Sequence, residues 1–348
     1  MKRLPMILVL LIILSLSPQA AALDITAPTV PESGRELMPE NTESFGQGVL
    51  QILRSALDVL RPDIGEAAGI CVSILAVILL LSLLEQLPGR IRSVSNLAGT
   101  VAISGLLLSG THSMLNLGAK TVTELSEYGK LLLPVMTAAL AAQGGVGASA
   151  ALYTGTAAFN ALLTAIISRL LIPMILVFLA LSAANSALGE DMLKQLQGTV
   201  KWACTWCLKT VLYVFTGYMG ITGVVSGTTD AAALKATKLT ISGMVPVVGG
   251  ILSDASETVL VSAGLVKNAA GVYGILAILS VCLGPFLRIG VHYLLLKATG
   301  AVCGVFGPKG LTGLIRDFTG AMGMLLAMTG SECLLLLVST VCFLRGVG

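Results

Sequence analysis

Eight apolar blocks succeed one another along the chain, at 67–87, 97–117, 131–152, 161–185, 202–225, 239–266, 272–296 and 321–344. At about 1.5 Å of rise per residue, roughly 20 helical residues cross the hydrocarbon layer of a bilayer, and every block reaches that length. Inside lipid the backbone has no water to bond, and a helix satisfies its amides and carbonyls within one segment. The sequence therefore predicts an all-α fold, a polytopic membrane helix bundle. Composition agrees. Hydrophobic residues make up 55% of the chain and charged residues only 11%, where a soluble domain carries about 25% charge. Mean hydropathy is +0.92.

Two blocks depart from plain apolar character. Block 131–152 holds Pro134, Gln143 and Gly144-Gly145, and block 239–266 holds Pro246, Gly249, Gly250, Asp254 and Glu257. Each reads either as a broken crossing helix or as a re-entrant pair, which gives eight spans or six. Irregular backbone at membrane depth is tolerated where protein or a wet cavity satisfies it. An ionisable side chain there costs about 3 kcal/mol on insertion scales and marks a functional surface. The stretch with Lys235, Lys238, Pro246, Gly249, Gly250, Asp254, Glu257, Lys267 and Asn268 is thus the candidate functional segment. The two blocks also look related. Pro134 and Pro173 stand 39 residues apart, as do Pro246 and Pro285, and 112 residues separate the pairs. Such a layout suggests an internal repeat of the kind found in transporter-like folds.

Other charges fall inside or near the blocks: Glu85, Arg169, Lys209, Arg288 and Glu332. Arg169 and Arg288 lie deepest. Pairing of these arginines with Asp254 or Glu257 is one reading, and a polar pathway through the bundle is the other.

Ahead of the blocks, Lys2-Arg3, an apolar core at 6–16 and Ala20-Ala21-Ala22 form the three parts of a secretory signal. Domains follow as a signal peptide at 1–22, an extracytoplasmic tail with an amphipathic helix at 23–66, and a multispan transmembrane domain at 67–348. An uncleaved anchor is the alternative for the first. Residues 23–41, rich in Pro, Glu, Thr and Ser, read as flexible. Residues 45–60 place Val49, Ile52, Leu53, Ala56 and Leu60 on one helical face, and Arg61-Pro62 is expected to end that helix. With the tail outside, Lys297, Lys309 and Arg316 fall inside and the C-terminus outside.

Chemistry finds little support. Cys204 and Cys207 form a C-x-x-C, but Trp202 and Trp206 beside it suggest an interfacial belt rather than a redox site. The two histidines and seven cysteines form no metal-ligand pattern. No phosphate loop or catalytic set appears, so no cofactor, metal or enzymatic activity is expected. The net charge of +3, without a basic cluster, does not suggest nucleic acid.

The run Lys235-Ala-Thr-Lys238, Ile241-Ser242-Gly243, Val245-Pro246-Val247-Val248-Gly249-Gly250, Leu252-Ser253-Asp254-Ala255 and Lys267-Asn268 resembles the stage III sporulation protein AE family. The order of signal, tail and multispan body is similar too. The resemblance implies a non-enzymatic subunit in the mother-cell membrane around the forespore. It would work with other stage III A-operon membrane proteins in a channel or feeding complex needed for late forespore sigma factor activity after engulfment. The chain itself, or several copies of it, would sit in the lipid bilayer. A different class of function also fits the residues: an autonomous secondary transporter with its site at the interrupted helices.

Two outcomes follow. N-terminal sequencing of the membrane-extracted protein should begin at Leu23, and retention of residues 1–22 would refute the cleaved signal. An impermeant thiol reagent applied from the extracytoplasmic side should label a cysteine placed at 348 and spare one at 309, the reverse overturning the topology.

Overall fold

A computed structural model describes residues 28–39, 44–84, 90–188, 191–244 and 249–345, and within these the backbone is helical almost throughout, with no strand. A single short turn, α1 (Glu32–Arg35), precedes six rods. These are α2 (Phe45–Leu84), α3 (Arg90–Ala142), α4 (Val146–Ile166) continuing through a π-helical turn at Ile167–Leu171 into α5 (Ile172–Leu188), α6 (Asp191–Met244), α7 (Gly249–Phe306) and α8 (Lys309–Arg345). α7 and α8 form the centre, with α3 against both, α2 on α3 and α7, and α6 against the α4–α5 rod. Gly271 faces Leu344, Gly290 faces Leu326 and Gly300 faces Ile315, so α7 and α8 run antiparallel in one unbroken register. By contrast α3 runs parallel to α8, with Gly118 on Leu325 and Gly129 on Leu336.

Four stretches are long and apolar enough to cross a membrane: Phe45–Leu84, Val146–Ala187, Lys267–Val305 and Gly310–Arg345. The layout differs from the sequence expectation in a definite way. Blocks 97–117 and 131–142 belong to one continuous helix, α3, because the charged stretch between them is not a loop. There Lys120 pairs with Glu124 at 3.5 Å across one turn, while Val122, Leu125 and Tyr128 are buried on the opposite side. From residue 249 onward, block 239–266 likewise runs into block 272–296 as one helix, α7, while its residues 239–244 belong to the end of α6. The only break in the first interrupted block is the turn at Gln143–Gly145, where Gly144 takes φ 90° and lets α4 fold back on α3. Shifted by 112 residues, that break falls at 255–257, inside α7, so the proposed repeat does not extend to the backbone. Pro134 and Pro285 both stand within helices.

Pro173 is accommodated differently. Its ring clashes with the carbonyl four residues earlier and supplies no N–H. The backbone widens just before it, and Ile172 N–H donates to the carbonyl of Ile167, five residues back.

Arg61-Pro62 does not end the first helix. The buried stripe Ile52, Ala56 and Leu60 continues as Ala67, Cys71, Ile74, Ile78 and Leu81. Packing of this stripe carries α2 on through Pro62, which lies on the exposed side. Residues 28–39 of the expected flexible tail also prove ordered. Val30 and Leu37 are buried in the core, and Ser33 donates to Glu124 on α3. The physical reason is Gly34. A Cβ there would stand 2.7 Å from Ser280 Oγ and 2.9 Å from the backbone nitrogen of Val281, so only glycine lets α1 lie on α7.

Gly34→Ala should therefore cost about 1–3 kcal/mol of local packing. Tryptic cleavage after the exposed Arg35 should accelerate about tenfold or more in detergent, while Gly46→Ala, which meets nothing within 4 Å, leaves the rate unchanged. Equal rates in the two variants would refute the docked segment.

Candidate functional site

A polar seam runs through the apolar centre where α3, α4 and α8 meet. On α4, Thr156, Asn160 and Thr164 recur every four residues and so share one face. Thr156 donates to Ser339 on α8 at 3.0 Å. Asn160 Nδ2 donates to both the carbonyl and the Oγ of Ser126 on α3, each at 3.2 Å. The Thr164 hydroxyl shares its one hydrogen between Glu332 Oε1 at 3.2 Å and the Asn160 carbonyl of its own helix at 2.8 Å. The contacts 156 to 339 and 164 to 332 run in opposite senses, so the seam follows an antiparallel α4–α8 interface along two turns. Gly129 makes room for it, since a Cβ there would come within 2.8 Å of Leu336 and 3.4 Å of Asn160 Nδ2.

Glu332 is fully buried, and no lysine or arginine pairs with it among the described residues. Its Oε2 has no partner, nor has Asn160 Oδ1. Buried polar atoms are nearly always bonded, because burying one alone costs on the order of 1–3 kcal/mol. Two such oxygen atoms on facing helices leave the seam with unmet hydrogen-bonding capacity. What it offers chemically is oxygen: a carboxyl group, an amide carbonyl and hydroxyls, suited to holding a proton, water or a hard cation.

The segment singled out in the sequence lies elsewhere. Lys235 and Lys238 fall in the last turns of α6, Gly249 and Gly250 open α7, and Asp254 and Glu257 follow in its first turns. The side chains of these residues lie outside the described residues, as does Pro246 altogether. Lys267 is buried at 4% exposure and Asn268 is exposed. Arg288 stands on the same helix as Asp254 and Glu257 but more than 30 residues further on, roughly 45–50 Å away at ~1.5 Å per residue, and its Nε pairs instead with Asp63 Oδ2 on α2 at 2.7 Å. Arg169 points outward from the π-helical turn. Glu85 lies outside the described residues. Cys204 turns into the core and Cys207 is half-buried, while Trp202 and Trp206 stack on the outer surface with centroids 6.1 Å apart. The outward pair fits the belt reading.

Glu332 was visible in the sequence as a lone carboxylate within an apolar block. The signal that would have joined it to α4 is the i, i+4 recurrence of Thr156, Asn160 and Thr164, which a count of charges passes over.

Comparison with known proteins gives the chain its place. No solved structure matches it. The Bacillus subtilis (strain 168) stage III sporulation protein AE is 22% identical over 184 residues, covering 53% of this chain and 46% of that protein. The match thus spans about half the length of that curated relative. A family model described as stage III sporulation protein AE matches residues 36–346. The match takes in every rod and the whole buried seam, and the chain belongs to the stage III sporulation protein AE family.

Proposed function

We propose that this protein is a non-enzymatic integral membrane subunit of a channel or feeding complex between mother cell and forespore. It would act in the mother-cell membrane beside other stage III A-operon membrane proteins and be required for late forespore sigma factor activity after engulfment. Its family carries this reading, because the match covers nearly the whole helical body. The bundle supports it in two respects. Four of its helical stretches suit a membrane. The rods of α3, α6 and α7, at 53, 54 and 58 residues, are also far longer than the ~20 residues that one bilayer needs. That length leaves helical surface beyond the hydrocarbon for partner subunits. The first turns of α7, with Asp254 and Glu257 three residues apart on one helical face, are the docking or path-lining surface in this reading. Arg288, more than 30 residues further along the same helix and paired with Asp63, does not neutralise them within the chain.

The buried seam favours a second reading, an autonomous secondary transporter. Its site would then be Glu332 and Asn160 rather than the α6–α7 junction. Ion-dependent uptake by the purified chain in liposomes, abolished by Glu332→Gln, would establish it.

Asp254→Asn combined with Glu257→Gln keeps shape and hydrogen bonding while removing both charges. Normal membrane levels with late forespore gene expression reduced about tenfold or more is the expected outcome. Wild-type sporulation by this variant would refute a functional role for the pair, and loss of the protein from the membrane would show that the carboxylates are structural. Glu332→Gln provides an independent comparison. Under the subunit reading it keeps the protein in the membrane and its sporulation defect appears without any uptake activity in liposomes.

A further inference from the structure

At the end of the bundle closed by the turn between α7 and α8, two cavities of about 290 and 450 Å³ adjoin, and Arg316 lines both. The smaller lies among α5, α6 and α8. Lys194, Gln197, Asn185 and Asp317 face it. The larger lies between α7 and α8, with Lys297, Tyr293, Thr312 and Thr319 around it and glycines at 300 and 320 as its floor. Lys201 reaches the same place from α6, its Nζ 3.6 Å from where a Cβ on Gly320 would stand.

The donors here are in excess. Arg316 makes no ion pair among the described residues. Lys297 folds over the Tyr293 ring and donates weakly to its hydroxyl at 3.4 Å, leaving its other N–H bonds unspent. Among the described residues Asp317 is the one carboxylate on either wall, and it accepts the Ser182 hydroxyl at 2.8 Å. Most telling is Gln197: its side chain is only 5% exposed, yet Nε2 has no acceptor. An amide donor buried without a partner costs stability, and its retention in the wall of a cavity points to an absent acceptor.

We propose that the paired cavities bind a phosphoryl group, with Arg316 as the central ligand. The guanidinium offers a planar fork to two phosphate oxygens. Gln197 and Lys194 are placed for the group from the smaller cavity, and Lys297 and Lys201 from the larger. A phosphoryl group suits this donor set better than a carboxylate does. It presents three oxygens, and the donors approach from three helices rather than from one side. The volumes are those of a small-molecule site. Lys297 and Arg316 sit eight and six residues in from the ends of the candidate spans Lys267–Val305 and Gly310–Arg345. The group is therefore supplied either by an anionic phospholipid headgroup from the adjoining leaflet or by a soluble phosphate compound. The site is independent of Asp254, Glu257 and the buried seam.

The test uses the full chain in nanodiscs. One arm compares phosphatidylcholine discs with discs containing phosphatidylglycerol and reads co-purified phosphatidylglycerol by native mass spectrometry. The other titrates inorganic phosphate and pyrophosphate into phosphatidylcholine discs by calorimetry. Binding in the first arm identifies a headgroup, and binding in the second a soluble ligand. Arg316→Gln with Lys297→Gln should weaken whichever binding is seen by about tenfold or more, as loss of charge-assisted bonds does. Arg316→Lys should retain part of it. Lys120→Gln, which lines neither cavity, should leave it unchanged. Gln197→Leu separates binding from folding: affinity should fall while the thermal midpoint of the ligand-free protein holds or rises, since an unpaired buried donor is removed. Absence of binding in both arms overturns the proposal, as does equal weakening by Lys120→Gln or a Gln197→Leu variant that binds as well as the parent.

Discussion

Along the contact of α7 with α8, glycine on one helix repeatedly meets a branched or aromatic side chain on the other, at Gly271 with Leu344, Gly300 with Ile315 and Gly330 with Phe286. Lipid tails are as apolar as leucine, so helices in a bilayer gain little by hiding apolar surface from them. They associate through close packing and interhelical hydrogen bonds instead. Glycine admits that closeness. The register holds past Pro285, which stands inside α7, because contacts on both sides fix the two rods together. α3 then uses the same device twice against α8 and once against α7, where Leu132 fills the space above Gly274. α2 and the α4–α5 rod pack on what remains of these surfaces, and α6 in turn lies mainly on the α4–α5 rod.

The polar seam is the second consequence of that geometry. α4 reaches α8 only because Gly129 on α3 leaves space beneath Asn160 and Leu336. Three successive side chains of α4 then find polar atoms on α3 and α8 rather than methyl groups. Hydrogen bonds of this kind fix register between helices more strictly than apolar contact does. The carboxyl group of Glu332, half-satisfied by Thr164, is the member whose occupancy by a proton or a bound ion would alter the whole interface.

How far the sequence reached can be judged from particular residues. Hydropathy carried the all-α class, and helical periodicity carried the buried stripe of Ile52, Ala56 and Leu60. The outward tryptophans were legible from their place beside an apolar block. Pro62 misled because propensity argues locally, while the stripe that holds α2 together extends for five further buried positions beyond it. The lysines and glutamates at 120–130 misled for a related reason: charge suggests a loop, but spacings of four, three and three residues place them on one side of a continuing helix. The seam was illegible because it pairs residues as far apart as 156 and 339, and a single sequence contains no record of which helices meet. The donor-rich cavities beside Arg316 were hidden in the same way, being assembled from four separate rods.

The docking of α1 bears on the order in which the molecule is built. Gly34 lies against Ser280 and Val281, a surface synthesised roughly 250 residues later, so the N-terminal segment has no place to settle while the first rods are emerging. Long-range closures of this kind come late, since their loop entropy is met only when the rest of the chain has condensed. Residues 28–39 thus act as a seal on the finished bundle. Until α7 is in position, the face of α3 around Glu124 stays open to whatever meets the chain during insertion.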